Sequence, residues 1–446
     1  MEIIRLILIY LLDLLLPSYG LPNEKLMLSP LICKGHIKQA QELSLVEDKN
    51  SIIPTSHAGF ITVDEKLGNH LFFWLFPSIS GSESPLVVWL NGGPGSPSSL
   101  GLFYENGPMR LTDAWYERSN ISWTETMSML YIDNPVSVGY SYSDSGSAGY
   151  RTDQDGYSKD LYEFIEQFYL LFPEYQKREL YIGGKSYGGK YVPAFAYYLH
   201  LKIKEGRSNL PLAGIYLEGP LFDPYEQGLA VPDYLLAVGA ISTKEAQQHK
   251  QSILELFKEL KRGKLNYSFD DLFDRFFIMK ISFFLNNYYS GVNPRYDELQ
   301  AVMDSKYLKS LVHVGNREFV FLSNMNTNFR NRMVQDFLTS TKPKLAQLLE
   351  EYKVLIYTGD QDALISPAMV DAGLLSMEWS RQQEYQDSKR SVWWGGDGAL
   401  SGFYSRVGNL CQVVIKGGGH SAGHDQSARV YQMMNLFIRQ GCIRKR

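Results

Sequence analysis

The most constraining feature of this 446-residue chain is the Gly-Lys-Ser-Tyr-Gly segment at residues 184–188, with Ser186 at its centre. It follows an apolar, strand-like run at residues 180–183 and precedes a helix-compatible run at residues 190–199. A serine between two glycines at a sharp strand-to-helix turn is typical of a nucleophile elbow, because glycine tolerates the strained backbone and the close approach of strand and helix. An ordinary glycine-rich turn is the alternative, but the placement favours the elbow.

Short apolar runs with strand character recur along the chain, separated by helical segments. Between two of these runs, Leu161, Ile165, Phe168 and Phe172 repeat at the spacing of one helix face, as expected of a crossover helix that packs on a sheet. The alternation predicts a mostly parallel α/β sheet, and with the elbow it predicts the α/β-hydrolase fold. The strand-like runs are residues 86–90, 129–133, 180–183, 212–217, 354–358 and 410–415.

The alternation fails between residues 223 and 326. A helical stretch there begins with a capping pattern formed by Ser242 and Glu245, and the segment is rich in aromatic residues. We predict that residues 223–326 form a helical cap inserted into a hydrolase core made of residues 21–222 and 327–446. The aromatic side chains fit either a core of the cap or a lid over a substrate pocket, and we favour the core.

Residues 1–20 predict a secretory signal peptide. A basic residue precedes an apolar run at residues 6–16, and small residues near position 20 resemble a cleavage site. The run is shorter than the ~20 apolar residues that a membrane span needs, and Asp13 interrupts it, so we expect no membrane anchor. The Asn-x-Ser sequons at Asn120 and Asn266 would then meet the glycosylation machinery.

Three cysteines allow at most one disulfide within the chain. Cys411 lies in an apolar strand-like run, which predicts a buried thiol. Cys33 and Cys442 lie near the two ends of the chain, and we predict that they pair. The spacing of the cysteines does not support a metal site.

Charge argues against nucleic acid as a partner, because 44 basic and 48 acidic residues give a net charge of −4 without an extended basic run. The chain also contains 30 Tyr and 23 Phe, which fit a large core and apolar pockets. Such a composition argues against a disordered chain.

A serine nucleophile needs a base, and His420 is the best candidate. It follows a strand-like run and a triple-glycine turn at residues 417–419, and it completes the chain order Ser, Asp, His that α/β hydrolases use. His424 is the competing candidate, although it lies four residues further on without that turn.

The orienting carboxylate should follow a strand that lies between the other two members, and the run at residues 354–359 leads to Asp360 and Asp362. Asp360 directly follows a glycine, where aspartate often bonds to its own turn. We therefore predict Asp362 as the third member of the triad.

A second glycine-rich loop, residues 91–95, directly follows the strand-like run at residues 86–90. Hydrolases of this type place an oxyanion-hole amide at that point of the chain. We predict that the backbone amides of Gly93 and Tyr187 form the oxyanion hole. An ordinary Gly/Pro turn is the alternative.

Three segments together resemble the serine carboxypeptidase family, and in particular its vitellogenic-like branch: residues 89–95, the elbow through residue 194, and residues 418–420. The resemblance implies release of C-terminal residues from peptides with a free C-terminus, mostly at acidic pH, without a metal or other cofactor. It also implies that the protein acts in lysosomes or is secreted. Further matches at residues 133–135, 172–175, 313–316 and 354–359 extend the likeness over nearly all of the mature chain.

The chain departs from the family at the elbow, where Lys185 replaces the usual glutamate before the nucleophile. In the family, that glutamate acts with a second carboxylate, matched here by Glu105, and with a loop asparagine, matched by Asn91, to hold the terminal carboxylate of the substrate. The resemblance therefore implies that Asn91, Glu105 and Lys185 form this site. We expect Lys185 to pair with Glu105; a lysine that reaches solvent is the alternative.

Altered residues after the histidine, including Ser421 and Gly423, and the few cysteines also depart from the family pattern. Two other functions therefore remain open. One is a secreted, non-catalytic or weakly active homologue of the binding or venom type. The other is an acyltransferase that uses the same triad.

Overall fold

The computed structural model describes residues 24–443, except residues 114, 265, 279–285, 292–294 and 322–326. The predicted signal peptide lies outside the described residues. Among those that are described, no helix is both long enough and apolar enough to cross a membrane.

Twelve strands of the described chain form one sheet: β1 Leu45–Val46, β2 Ser56–Asp64, β3 Asn69–Phe76, β4 Leu86–Leu90, β7 Ser128–Ile132, β8 Tyr142–Ser143, β9 Leu180–Lys185, β10 Leu212–Glu218, β11 Lys353–Gly359, β12 Ser391–Trp394, β13 Leu400–Val407 and β14 Leu410–Ile415. Across the sheet their order is β1, β2, β3, β7, β4, β9, β10, β11, β14, β13, β12, with β8 paired to β3. The six strands from β7 to β14 in this order run parallel, and the strands on both sides pair in antiparallel fashion. A separate hairpin joins β5 Met109–Leu111 to β6 Tyr116–Arg118.

Helices cover both faces of the sheet, so that each central strand is buried on two sides. In β4, Val88 contributes to the core under one set of helices, and its neighbour Trp89 contributes to the core on the opposite face. Successive side chains of a strand point to opposite faces, which explains why the parallel strands read as continuous apolar runs. The architecture is the predicted α/β-hydrolase fold.

The helices that follow the first strands include the predicted crossover helix, α4, whose Leu161, Ile165 and Phe168 are buried against the sheet. Asp153 caps this helix by accepting a 2.7 Å hydrogen bond from the amide of Gly156. The helices of the first half are α1 Ser29–Cys33, α2 Ile37–Ser44, α3 Ser99–Tyr104, α4 Gln154–Leu171 and α5 Gly188–Lys204.

Between β10 and β11 the described residues contain helices and no strand of the sheet. The capping box of Ser242 and Glu245 is present at the start of α7, as predicted. Aromatic residues of α8 belong to the same hydrophobic core as the buried residues of α4 and α5, and the ring of Phe276 lies 5.2 Å from that of Phe337. The division of the chain at residues 222 and 327 stays a prediction. These helices are α6 Pro224–Ala237, α7 Thr243–Lys261, α8 Phe269–Phe277, α9 Tyr296–Asp304, α10 Lys306–Leu311, α11 Thr327–Arg332, α12 Val334–Leu338 and α13 Lys342–Glu351.

The predicted disulfide is wrong. Cys411 pairs with Cys442, across a Cα to Cα distance of 5.3 Å, and Cys33 is a free, exposed thiol. The last helix, α17, packs on the face of the sheet that carries Cys411 and brings Cys442 beside it, whereas Cys33 lies in α1, whose buried side chain Ile32 joins the core of the opposite face. The remaining helices are α14 Pro367–Leu375, α15 Gln382–Gln386, α16 Ala422–Asp425 and α17 Ser427–Gln440.

Candidate active site

Ser186 lies at a sharp turn between β9 and α5, with a positive φ of 59°. Two hydrogen bonds hold this strained backbone: the Ser186 amide donates to the carbonyl oxygen of Glu218 at 2.9 Å, and the Leu221 amide donates to the Ser186 carbonyl at 3.0 Å. A Cβ atom at Gly184 would lie 2.4 Å from the carbonyl oxygen of Leu90, so only glycine fits there. The turn thus has the geometry of a nucleophile elbow.

His420 and Asp362 lie together at the carboxyl end of the same sheet. Nδ1 of His420 is 2.9 Å from Oδ2 of Asp362, and Oδ1 of Asp362 accepts hydrogen bonds from the amides of Leu364 and Ile365. Both side chains are buried. A carboxylate bound to Nδ1 fixes the orientation of the ring and directs Nε2 towards proton transfer.

The three predicted triad residues converge on the end of β10. A Cβ atom at Gly219 would lie 3.0 Å from Oδ2 of Asp362 and 3.2 Å from Nδ1 of His420. The residue before it, Glu218, accepts the hydrogen bond of the Ser186 amide described above. The end of β10 therefore lies between the elbow and the His–Asp pair.

The two competing candidates have other contacts. Asp360 accepts a 2.6 Å hydrogen bond from the amide of Gly417 and so braces the turn before His420. The ring of His424 stacks on that of Tyr104, with the centroids 4.0 Å apart and the planes inclined by 8°. Asp360 and His424 therefore take no part in the hydrogen bond between His420 and Asp362.

The loop at residues 91–95 packs directly on the elbow. A Cβ atom at Gly92 would lie 2.5 Å from the Tyr187 amide nitrogen and 2.5 Å from the Lys185 carbonyl oxygen. The backbone of Gly93 has a φ of 109°, which favours glycine. The predicted oxyanion donors therefore belong to two segments in direct contact, which is the arrangement that an oxyanion hole requires.

Lys185 points into the protein and not to solvent. Its ammonium donates hydrogen bonds to Oε1 of Glu105 and to the hydroxyl of Ser421. Both members of the ion pair are buried, with 4% of Lys185 and 7% of Glu105 exposed. The expected pair of Lys185 and Glu105 is therefore present, and the solvent-exposed alternative is wrong.

Asn91 lies at the start of the glycine loop, where its amide nitrogen donates to the hydroxyl of Ser98 at 3.2 Å. Its side-chain oxygen accepts a 3.0 Å hydrogen bond from the indole of Trp89. These contacts hold the Asn91 side chain beside the loop that packs on the elbow.

Glu218 is a residue of this region that the sequence analysis missed. It is the last residue of β10, pairs in register with Lys185, and is 1% exposed. One carboxyl oxygen accepts a 3.0 Å hydrogen bond from the Tyr357 hydroxyl and the other accepts from the Gly423 amide at 3.3 Å. An acidic residue at the carboxyl end of an apolar strand, where α/β proteins bind ligands, is the signal that could have found it.

Burial and the neighbouring Glu105 raise the pKa of Glu218 to about 8, against the attraction of Lys185. Burial alone would lower the pKa of Lys185, but the attraction of Glu105, joined by that of Glu218 when Glu218 is ionised, outweighs burial and raises that pKa. At neutral pH, Lys185 is therefore charged and Glu218 keeps its proton for the most part.

A cavity of about 490 Å³ adjoins this cluster through Glu105 and Gly423. Its walls also include Tyr104, His424 and Arg295, but neither Ser186 nor His420 lines it. The cavity therefore borders the Lys185–Glu105 pair without containing the proposed nucleophile.

Both sequon asparagines, Asn120 and Asn266, are exposed, and Asn120 lies at the edge of that cavity. Their glycosylation stays a prediction. Across the described part of the chain, no three His, Cys, Asp or Glu side chains are grouped so that they could hold a metal ion.

Comparison with known proteins gives one consistent family. The family model described as "Serine carboxypeptidase" matches residues 48–440. A protein of Rattus norvegicus named probable serine carboxypeptidase CPVL is 36% identical, over 95% of this chain and 91% of its own length. The venom serine carboxypeptidase of Apis mellifera is 31% identical over 94% and 91% of the two chains, and the vitellogenic carboxypeptidase of Aedes aegypti is 31% identical over 95% and 92%.

Among solved structures, the chain resembles Kex1, a prohormone-processing carboxypeptidase from Saccharomyces cerevisiae, with a TM-score of 0.76. The match covers 90% of this chain and 96% of that one at 19% sequence identity. At this identity the likeness supports the fold.

Proposed function

Because the chain belongs to the serine carboxypeptidase family, we propose that it is a serine-type carboxypeptidase that releases C-terminal residues from peptides. In this proposal Ser186 attacks the carbonyl carbon of the last peptide bond. His420 accepts the serine proton and passes it to the leaving amine, and Asp362 orients the imidazole. Water then hydrolyses the acyl-enzyme with His420 again as the base. The observation that carries the proposal is the buried His420–Asp362 hydrogen bond beside an elbow serine.

The amides of Gly93 and Tyr187 stabilise the negative charge that develops on the carbonyl oxygen. The close contact of the glycine loop with the elbow supports this role, because a preformed pair of donors needs no rearrangement in the transition state.

Lys185, Glu105 and Asn91 are the residues that we propose for the terminal carboxylate of the substrate. An ammonium group has three N–H donors, and the one donor of Lys185 that Glu105 and Ser421 do not use can bind a carboxylate. The Lys185–Glu105 pair is neutral, and Glu218 adds no charge while it is protonated. With Glu218 protonated, the site carries no net charge near neutral pH and can accept an anionic substrate, and Glu105 needs no proton because Lys185 balances its charge.

The proposed place of action is the secretory pathway or the lysosome. The predicted signal peptide supports this, and so does the Cys411–Cys442 disulfide, because such bonds persist in oxidising compartments. Peptides with a free C-terminus are the proposed partners.

The test is incubation of the purified protein with N-blocked dipeptides over a pH series, with detection of the released C-terminal amino acid. We expect release by the wild-type protein and none by Ser186→Ala. An organophosphonate probe should add covalent mass to Ser186; His420→Ala should abolish this labelling, and His424→Ala should leave it largely intact. Labelling that depends on His424 and not on His420 would overturn the assignment of the base.

A non-catalytic binding protein is a second candidate function. It is favoured by the Lys185–Glu105 pair, in which the two charges satisfy each other within the protein. A correctly folded wild-type protein that neither releases amino acids nor reacts with the probe would support this candidate. Transfer of the acyl group to an added alcohol, found by product analysis, would instead indicate the acyltransferase.

A further inference from the structure

Tyr187 is held by its side chain as well as by its backbone. Its ring is buried, and its hydroxyl donates a 2.5 Å hydrogen bond to Oδ2 of Asp336. The ring also contacts those of Tyr191 and Phe337, with centroid distances of 5.2 and 6.2 Å. Asp336 and Phe337 both belong to α12, so the residue that follows the proposed nucleophile is bonded to a helix far along the chain.

The Asp336 carboxyl group is buried, and a buried lysine balances its charge. Lys190 lies one turn after Tyr187 on α5, and its ammonium donates to the carbonyl oxygen of Thr339. Burial raises the pKa of Asp336 to about 6, against the attraction of Lys190. Burial lowers the pKa of Lys190 to about 8, against the attraction of Asp336. Near neutral pH both groups are therefore charged for the most part.

A third contact joins the same two segments. The hydroxyl of Thr341 donates a 2.9 Å hydrogen bond to the carbonyl oxygen of Gly189. Residues 336–341 thus bind the first turn of α5 at Tyr187, Gly189 and Lys190. This turn carries the amide that we propose as an oxyanion donor, and such a donor is effective only when its position is fixed before the reaction.

We propose that Asp336 is a positioning residue for the oxyanion hole: by binding the Tyr187 hydroxyl, it fixes the Tyr187 amide where negative charge develops on the substrate carbonyl oxygen. Lys190 supports this role by favouring the ionised form of the buried carboxyl group, because a hydrogen bond to a carboxylate is stronger than one to a neutral carboxyl or amide oxygen. The inference rests on the proposed function, because it requires the Tyr187 amide to act as an oxyanion donor.

The test compares the rate at which a fluorophosphonate probe labels Ser186 in Tyr187→Phe, Asp336→Asn and wild-type protein. The phosphoryl oxygen of the probe occupies the oxyanion hole, so labelling reports on that hole without requiring a peptide substrate. Tyr187→Phe removes only the hydroxyl. We expect labelling and kcat to fall about tenfold in each variant, less than the 10²–10³-fold loss of a whole donor, with KM for a blocked dipeptide unchanged. The double variant should be no slower than the slower single variant, because the two residues act through one bond.

Tyr131→Phe is the matched control. It removes an equally buried tyrosine hydroxyl, which donates a 2.8 Å hydrogen bond to Asn106, and it should label at the wild-type rate. An equal slowing in this control would show a general loss of stability and would overturn the proposal. A wild-type rate in Tyr187→Phe would also overturn it, and this variant decides alone if Asp336→Asn does not fold.

Two outcomes separate this inference from the proposed function. Wild-type protein that reacts with the probe but releases no C-terminal residue would refute the peptidase, and the variant rates would still decide the role of Asp336. Wild-type protein that does not react with the probe would overturn both.

Discussion

Replacing Glu218 by Gln should change how the stability of the protein depends on pH. The pKa of Glu218 is raised from 4.5 to about 8 in the folded protein. Below pH 4.5 the folded and unfolded states both hold the proton. Between pH 4.5 and 8 the unfolded state releases it while the folded state keeps it, so the free energy of unfolding falls as the pH rises.

The size of the effect follows from the shift. One pKa unit corresponds to about 1.4 kcal/mol, so Glu218 removes roughly 3 kcal/mol of stability between pH 4.5 and 7, and about 4 kcal/mol by pH 8. Glu218→Gln removes this dependence. The NH2 group of the glutamine side chain cannot accept a hydrogen bond, so the variant loses either the bond from Tyr357 or the bond from Gly423. This loss lowers the free energy of unfolding by about 1–3 kcal/mol at every pH.

The assay is denaturant unfolding of wild type and Glu218→Gln at several pH values from 5 to 8. The difference in free energy of unfolding, variant minus wild type, should rise by about 1.4 kcal/mol per pH unit. Glu378→Gln, at an exposed position of the surface, is the control, and its difference from wild type over the same pH series gives the baseline. A constant difference for Glu218→Gln would show that Glu218 is ionised throughout this range, and it would refute the reasoning.

Three further predictions concern the disulfide, the carboxylate site and the triad. Cys442→Ser should lower the free energy of unfolding by about 3–4 kcal/mol, because the bridge closes a loop across a separation of 31 residues; native wild-type protein should show one reactive thiol, Cys33, and two or more would contradict the pairing. Lys185→Glu places a third carboxylate beside Glu105 and Glu218, so the pH at which KM is lowest should move towards acid, and an unchanged KM profile would count against Lys185 as a carboxylate ligand. Asp362→Asn should lower kcat about 10⁴-fold while the fold is kept, as measured by dipeptide hydrolysis and circular dichroism; full activity would exclude Asp362 from the triad.

The parallel strands could be predicted from the sequence because they are buried on both faces. All six predicted runs coincide with strands to within a few residues, as in β4 and β14. The antiparallel strands β2, β3, β12 and β13 were not predicted. In β13 exposed and buried positions are interspersed with glycine and polar residues, so it lacks the continuous apolar run that identified the others.

The candidate site was predictable where chain order fixes it and less so where contacts decide. Chain order led to Ser186, Asp362 and His420, and the structure places the last two in one hydrogen-bonded pair. The pair of Lys185 with Glu105 came from a family resemblance. Glu218 was missed because its environment depends on Lys185 in the neighbouring strand and on the segment after His420, which no local pattern reveals.

The wrong disulfide has a similar cause. Proximity of Cys33 and Cys442 to the chain termini says nothing about the face of the sheet on which each lies. The path of α17 back to β14 decides the pairing, and that path depends on tertiary packing.

The Cys411–Cys442 bridge also governs how this protein should be produced. Cys411 is the second residue of the strand β14, and the same strand ends at Ile415, five residues before His420. A host that keeps thiols reduced would yield a chain with three free cysteines. The segment after α17 would then have no covalent link to β14, the strand that leads to His420. Recombinant material from a bacterial cytoplasm would therefore be a poor sample for measuring activity, and secretion from a eukaryotic host is the suitable route.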